Sequence, residues 1–171
     1  MKRFVLSAVL FFACLLAAQA QRFALVDMEY IFQQLPDYAQ ANQQLESLTQ
    51  QWQREVEAKA NEAKALYEAY QQSAASLTAA QRTAKEDAIV AKEREAAELR
   101  KKYFGPEGEA VKKRESLMAP IQDAVYKAVK ELATRHGYDV VIDRASAQSM
   151  IFASPKIDIS NEVLSKLGYS N

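Results

Sequence analysis

The sequence predicts an α+β fold that is mostly α, in which a long antiparallel helical hairpin, a coiled-coil arm, is inserted into a small β-rich body. Two observations carry this prediction. Every glycine and proline lies outside residues 37–104, a stretch dominated by residues that favour helices. Beyond residue 20, segments of strand-like composition occur only near the two ends of the chain. One helix over the whole stretch would extend on the order of 100 Å, so we expect it to fold back or to project.

The first twenty residues have the pattern of a secretory signal peptide. Two basic residues precede the apolar run Phe4–Leu16, and Ala18-Gln19-Ala20 forms a small-residue cleavage site. The apolar run is shorter than the ~20 residues that a membrane-spanning helix needs. We therefore expect cleavage after Ala20, and a mature chain that starts at Gln21 and has the length of one domain.

The mature chain is expected to lack cysteine and to be nearly neutral. The only cysteine, Cys14, lies in the predicted signal peptide, which excludes disulfides, zinc–thiolate sites and cysteine nucleophiles. Without Lys2 and Arg3, 20 basic residues stand against 22 acidic ones, and this balance gives no indication of nucleic-acid binding. Export without disulfides suits a bacterial periplasm.

The first elements of the mature chain are predicted to be a strand and a short helix. Residues 22–27 are apolar and end at Asp27, a good N-cap. The helix that follows carries Ile31, Phe32 and Leu35 and should end before Pro36. Residues 37–117 are assigned to the arm, and residues 21–36 and 118–171 to the oligomerisation body.

The outgoing helix of the arm shows a narrow apolar stripe at steps of three and four residues. The stripe comprises Leu45, Leu48, Trp52, Val56, Ala60, Ala63, Leu66 or Tyr67, and Tyr70. The turn is predicted at Ser73–Thr78, because Thr78 followed by Gln81 is a capping box. The residues expected to face the outgoing helix from the returning one are Ala84, Ala88, Ala91 and Leu99.

The returning helix should break after Phe104. Gly105, Pro106 and Gly108 disfavour helix and form a candidate hinge. The helix is expected to resume, to be kinked by Pro120, and to stop at Gly137.

Residues 138–143 and 149–153 are predicted strands, and Asp158 or Ser160 should cap a last helix that Gly168 ends. So small a body has a marginal core and two unpaired strand edges. We therefore expect an obligate homo-oligomer, whose copy number does not follow from the residues. The body residues assigned to this association are Phe23, Leu25, Val26, Val140, Val141, Ile142, Ile151 and Phe152.

The sequence predicts that the protein is not an enzyme and that it has no catalytic site, metal site or cofactor. His136, the only histidine, is explained by its position in the last turn of a helix. The spacing of Asp27, Asp139, Asp143 and Asp158 fits caps and strand ends rather than a calcium loop. No glycine pattern forms a phosphate cradle, and no serine lies in a nucleophile elbow.

Two features of the arm leave alternatives open. The basic clusters 100–102 and 112–114 are either solvated helix faces or surfaces that attract acidic unfolded chains or lipid headgroups. A set of aromatic residues either packs in the hairpin or holds apolar client segments. These candidate client-contacting residues are Trp52, Tyr67, Tyr70, Tyr103 and Phe104.

The order of segments resembles the Skp/OmpH family over essentially the whole mature chain. The matching segments are 23–28 (FALVDM), 31–34 (IFQQ), 121–125 (IQDAV), 138–143 (YDVVID) and 158–167 (DISNEVLSKL), with the hairpin between the second and the third. The resemblance implies a periplasmic holdase chaperone of Gram-negative bacteria, a jellyfish-like homotrimer whose arms surround a cavity. There it would hold unfolded outer-membrane β-barrel proteins without ATP until insertion.

The near-neutral charge departs from the strongly basic members of that family. A basic arm would attract a membrane surface or lipopolysaccharide. The near-neutral charge argues against such charge-driven contact. The alternative function is that of a structural coiled-coil envelope protein, a spacer or scaffold.

Overall fold

The computed structural model of the protein describes residues 22–147 and 149–169, so the predicted signal peptide lies outside the described residues. The elements in chain order are β1 (Phe23–Val26), α1 (Met28–Gln34), α2 (Pro36–Ser73), α3 (Ala79–Phe104), α4 (Glu109–His136), β2 (Val140–Asp143) and α5 (Ser160–Lys166). Short 3-10 helices occupy Ala74–Ser76 and Pro155–Ile157. The predicted class, mostly helical with a long helical hairpin and a small sheet, is confirmed.

The chain divides into two compact units. The first, called here the sheet unit, contains the described residues up to Leu35 and those from Ala124 onward. The second, called the hairpin unit, is Pro36–Asp123.

A two-stranded parallel sheet organises the sheet unit. Strands β1 and β2 pair in a register that runs from Phe23 opposite Val140 to Val26 opposite Asp143. Leu25 also forms a parallel bridge with Asp158, and its carbonyl oxygen accepts a hydrogen bond of 2.9 Å from the Ile159 amide. Two of the three predicted strands are therefore present, and β1 lies between β2 and the segment that leads into α5.

The core of the sheet unit is formed by buried side chains on or next to β1, α1, α4 and α5. Full burial of one large aliphatic side chain contributes about 1.5–3 kcal/mol. Four such side chains of this unit are at most 2% exposed: Ile31, Val125, Ile159 and Val163. The other buried apolar residues of this unit are Ala24, Leu25, Val26, Leu35, Ala128, Leu132 and Leu164.

Local signals set the start of α1 and the end of α4 as predicted, whereas the N-cap of α5 is Ile159, without a side-chain cap, rather than Asp158 or Ser160. The Asp27 carboxylate accepts a hydrogen bond of 2.8 Å from the Tyr30 amide and so caps α1. Helix α4 continues through Pro120 and is followed by Gly137, whose φ of 67° is a conformation that glycine adopts without strain.

The predicted strand at residues 149–153 is wrong. Among the described residues of this segment none belongs to a strand, and Ile151 and Phe152 are 101% and 83% exposed. Strand propensity reflects packing on a pleated, half-buried surface rather than an intrinsic backbone preference. Among the described residues this segment pairs with no strand, and its Ile151 and Phe152 lie exposed rather than on a half-buried surface.

The hairpin unit contains two antiparallel helices joined by the predicted turn. Thr78 caps α3 and forms a capping box with Gln81, as the sequence indicates. Contacts run in opposite directions along the two helices, since Tyr103 meets Glu55 whereas Tyr70, further along α2, meets Glu86.

The facing residues of α3 differ from the prediction. Ala84, Ala88 and Ala91 are exposed and Leu99 is half-buried, whereas Ile89, Ala96 and Tyr103 are buried at intervals of seven residues. On α2 the predicted Ala60, Leu66 and Tyr67 are likewise exposed, and Val56 and Ala63 are buried. Burying a large side chain removes more apolar area from water than burying an alanine. The face of α3 that carries Ile89 and Tyr103 is therefore the one turned toward α2.

Candidate functional site

The sheet unit exposes several large apolar side chains next to its unpaired strand edge. Among the described residues β2 pairs only with β1. Ile142 is 37% exposed and Val140 45%, and Phe23, opposite Val140 in the register, is 42% exposed. Ile151 and Phe152 are exposed as well, and the exposure of so many large apolar side chains to water is unfavourable.

An aromatic pair joins the two helices of the hairpin near the end of α3. The rings of Trp52 and Tyr103 stack with centroids 5.3 Å apart and planes 12° apart. The Tyr103 hydroxyl donates a hydrogen bond of 2.5 Å to the Glu55 carboxylate. Phe104 meets the edge of the Tyr103 ring with 6.3 Å between centroids. We call Trp52, Glu55 and Tyr103 the aromatic clasp.

The clasp shifts the ionisation of its two polar members in opposite directions. The hydrogen bond from Tyr103 holds the pKa of Glu55 below its usual value, and a second one from Gln51 adds to the effect. The same bond to Glu55 raises the pKa of Tyr103. Both shifts favour the pair with an ionised carboxylate and a neutral phenol.

The break that follows the clasp is a tight, hydrogen-bonded turn. The Gly105 amide donates to the Lys101 carbonyl and the Gly108 amide to the Gly105 carbonyl, each at 2.9 Å. A Cβ atom at Gly108 would lie 2.6 Å from the Tyr103 carbonyl oxygen. A Cβ atom at Gly105 would likewise clash with the Lys101 carbonyl oxygen, so neither position has room for a side chain. Whether the turn acts as a hinge stays a prediction.

Four charged residues cross-link the middle of the hairpin. Lys59 lies 3.3 Å from Glu62 and 3.5 Å from Glu95, and Lys92 lies 3.1 Å from Glu62 and 3.0 Å from Glu95. Lys92 lowers the pKa of both carboxyl groups, and they raise its own. Because all four side chains are partly exposed, these ion pairs add only modestly to the packing of the buried Ala63 and Ala96 between the same helices.

A groove of about 680 Å³ lies between α2 and α3, beside this charged cluster. Small or buried residues lie along it, chiefly Val56, Ala60, Ala63, Ala96 and Ala97, together with Gly105. Its remaining lining residues are Lys64, Tyr67, Glu93, Arg100, Lys101 and Phe104.

The acidic and imidazole groups that could suggest chemistry are engaged in structural contacts. The four aspartates singled out in the sequence all accept hydrogen bonds from backbone or side-chain groups. His136 lies 3.1 Å from Glu162. Within residues 22–147 and 149–169, no cluster of three or more His, Cys, Asp or Glu side chains could hold a metal ion.

In the part of the chain that the structure describes, no helix combines the length and the apolarity that a membrane crossing demands.

Comparison with known families identifies the chain. The family model described as "Outer membrane protein (OmpH-like)" matches residues 22–167. The chain belongs to the OmpH-like family. A protein of Yersinia enterocolitica named "Chaperone protein Skp" is 30% identical over 171 residues, which cover 98% of this chain and 99% of that one. A protein of the same name from Pectobacterium atrosepticum is 29% identical over 150 residues, 86% of each chain.

In this OmpH-like chain the residues assigned to association divide into two groups. Leu25 and Val26 are buried in the core of the sheet unit and Val141 is half-buried. The other five are exposed: Phe23, Val140, Ile142, Ile151 and Phe152.

The candidate client-contacting residues of this OmpH-like chain divide in the same way. Tyr103 is buried on Trp52, and Tyr70 donates a hydrogen bond of 2.5 Å to Glu86. Only Tyr67 and Phe104 line the groove.

Ala60 and Ala63 belong to the stripe predicted for α2, whereas Ala96 and Ala97 of α3 were not predicted to lie at the seam. Arg100 and Lys101 were singled out only as part of a basic cluster. The seven-residue spacing of Ile89, Ala96 and Tyr103 is the signal that could have oriented α3 correctly.

Proposed function

We propose that the protein is an ATP-independent periplasmic holdase chaperone that binds unfolded outer-membrane proteins and prevents their aggregation before membrane insertion. The observation that carries the proposal is the match to two proteins named "Chaperone protein Skp", one of which aligns over 98% of this chain. The signal-peptide pattern of residues 1–20 supports export.

The composition of the hairpin unit supports binding rather than catalysis. Its helices cross at a seam that contains alanines and a charged cluster, and most of their surface stays accessible. Such a surface suits many weak, reversible contacts, whose combined strength can be large when several arms engage one client. In this proposal the arm, residues 37–117, holds the client without a cofactor.

We propose a homotrimer joined through the body, residues 21–36 and 118–171. The exposed apolar side chains of the sheet unit support this association, since exposed apolar sets and unpaired strand edges commonly mark interfaces. Phe152→Glu should weaken the trimer, and light scattering with mass determination measures the change. Lys156→Glu, an exposed substitution four residues away, is the matched control.

The decisive experiment measures aggregation of a β-barrel protein diluted from urea. We expect the mature protein to suppress the rise in light scattering at one trimer per client, and ATP to make no difference. An unchanged rise would refute the holdase function. A client-independent filament that ignores unfolded chains would instead favour the structural envelope protein.

A further inference from the structure

The groove of the hairpin unit has the dimensions and composition of a binding site for side chains. Its volume of about 680 Å³ falls within the range of about 300–1,000 Å³ that ligand pockets occupy. Alanines at positions 60, 63, 96 and 97 leave the space open because their side chains end at Cβ. Val56 and Ala63 are 4% and 5% exposed and give it an apolar base.

Two large aromatic side chains lie along this groove in contact with water. Tyr67 is 49% exposed and Phe104 is 40% exposed. Exposed aromatic rings in a concave apolar site are typical anchors for binding, since they offer much contact area at a small entropic cost.

The charges of the groove are not balanced within the chain. Lys64, Arg100 and Lys101 line it against a single carboxylate, Glu93. Among the described residues, the one carboxylate in salt-bridge range of Lys64 is that of Glu68, at 3.9 Å. Within the described residues no salt bridge involves Arg100 or Lys101, although many other cations of the hairpin unit are paired. The groove therefore combines an apolar base with a cationic edge.

We infer that this groove binds extended segments of unfolded polypeptide in which large apolar side chains stand next to aspartate or glutamate. The apolar side chains would enter between the alanines, and the carboxylates would meet Arg100 and Lys101. An arginine guanidinium is well suited to this because it can bind a carboxylate through two hydrogen bonds. This inference rests on the proposed chaperone function and names the chemistry of the client that the arm selects.

The proposal is tested with a fluorescein-labelled peptide of alternating phenylalanine and glutamate, whose binding to the mature protein is measured by fluorescence anisotropy. Ala97→Trp fills the groove from an exposed position of α3. Ala91→Trp places the same side chain on an exposed alanine of the same helix that does not line the groove. We expect at least about a tenfold loss of affinity for the first variant and less than about twofold for the second.

The charge requirement is tested by reversing it. The double variant Arg100→Glu, Lys101→Glu should prefer a phenylalanine–lysine peptide, whereas wild type prefers the glutamate peptide. Lys113→Glu with Arg114→Glu changes the net charge equally outside the groove and should keep the wild-type preference. Circular dichroism verifies that all variants keep their helix content.

Three results would overturn the inference. Equal losses in the two tryptophan variants would place peptide binding elsewhere. A fall in the mass of the assembly caused by Ala97→Trp alone would make the groove an interface between copies of this chain. Binding of phosphatidylglycerol vesicles that Ala97→Trp abolishes, with peptide binding intact, would make it a lipid site.

The barrel aggregation assay separates this inference from the proposed function. If Ala97→Trp binds the peptide and suppresses aggregation as wild type does, the groove is not the site but the holdase function stands. If wild type binds the peptide in the groove yet fails to suppress aggregation, the holdase function is wrong.

Discussion

The Tyr103 ring stacks on the Trp52 ring at 5.3 Å, and the Tyr103 hydroxyl donates a hydrogen bond to Glu55, one turn further along the same helix as Trp52. One residue of α3 is thus held by two residues of α2. Gly105 begins the turn only two residues later. The clasp therefore fixes the two helices together immediately before the returning helix breaks.

Removing the aromatic half of the clasp should weaken the hairpin unit. We expect Trp52→Ala to lower the free energy of unfolding by about 2 kcal/mol, less than for a fully buried ring because Trp52 is half-buried. Urea denaturation followed by circular dichroism measures it, and Tyr67→Ala, an exposed aromatic of the same helix, should cost less than about 0.5 kcal/mol. Equal losses would mean that the stack contributes nothing.

Stability should depend on pH through the carboxyl groups of the hairpin. Glu55, Glu62 and Glu95 have pKa values lowered from 4.5 in the folded state. Because a lowered pKa stabilises the folded state only where the group is ionised, this contribution is present above pH 4.5 and is lost as pH falls through the lowered values. The urea midpoint should therefore fall between about pH 5 and pH 3.

Glu55→Gln tests whether Glu55 contributes to the loss of stability at acidic pH. The amide oxygen can still accept the Tyr103 hydrogen bond, but it does not titrate. We expect a smaller fall of the urea midpoint on acidification than in wild type, whereas Glu57→Gln, at an exposed position of the same helix, should leave the fall unchanged. An identical pH profile for both variants would contradict the role of Glu55.

At alkaline pH a separate loss is expected. The pKa values of Tyr70 and Tyr103 are raised from 10.0 and that of Lys92 from 10.5. These groups stabilise the fold below their unfolded pKa values, and the contribution disappears as pH rises through the folded ones. Tyr103→Phe should flatten part of this alkaline decline in the urea midpoint.

A buried hydroxyl should prove important in the sheet unit. Ser160 is 4% exposed; its hydroxyl accepts from the Asp27 amide at 2.8 Å and donates to Asp158 at 2.6 Å. Ser160→Ala leaves both groups without this partner, and we expect a loss of about 1–3 kcal/mol in the free energy of unfolding. Ser165→Ala, an exposed substitution on the same helix, is the control. All variants are measured at one protein concentration, because association alters apparent stability.

The turn after α3 should not tolerate a side chain at Gly108. Its Cβ would lie 2.6 Å from the Tyr103 carbonyl oxygen and 2.9 Å from the Gly105 amide nitrogen. We expect Gly108→Ala to lower the free energy of unfolding by about 1–3 kcal/mol, and Glu107→Ala, exposed in the same turn, to be nearly neutral. Full tolerance of Gly108→Ala would indicate that the turn opens freely in solution, as a loose hinge would.

The parts of the fold that local chemistry decides could be predicted from the sequence. The Asp27 cap, the Thr78 capping box and the Gly137 stop each depend on residues within one turn of the helix end. Strands β1 and β2 were also found, because their apolar runs are short and bounded by polar residues.

The wrong predictions concern features that depend on contact with another segment of the chain. Residues 149–153 have strand composition but pair with no strand in the described part of the chain. Ala88 satisfies a helical spacing, but burial of Ile89 and Tyr103 decides which face of α3 is turned inward. The groove could not be predicted for a related reason. It forms only where the alanines of α2 meet those of α3, and a correct register requires the clasp that joins Glu55 to Tyr103.

Trp52 is the only tryptophan of the chain, and it belongs to the hairpin unit. Its intrinsic emission therefore observes one place in the protein, where α3 meets α2, without any attached dye. Far-UV circular dichroism, by contrast, averages over the helices of both units. Two denaturation curves that separate would reveal that the units open independently, and two that coincide would reveal a single cooperative transition.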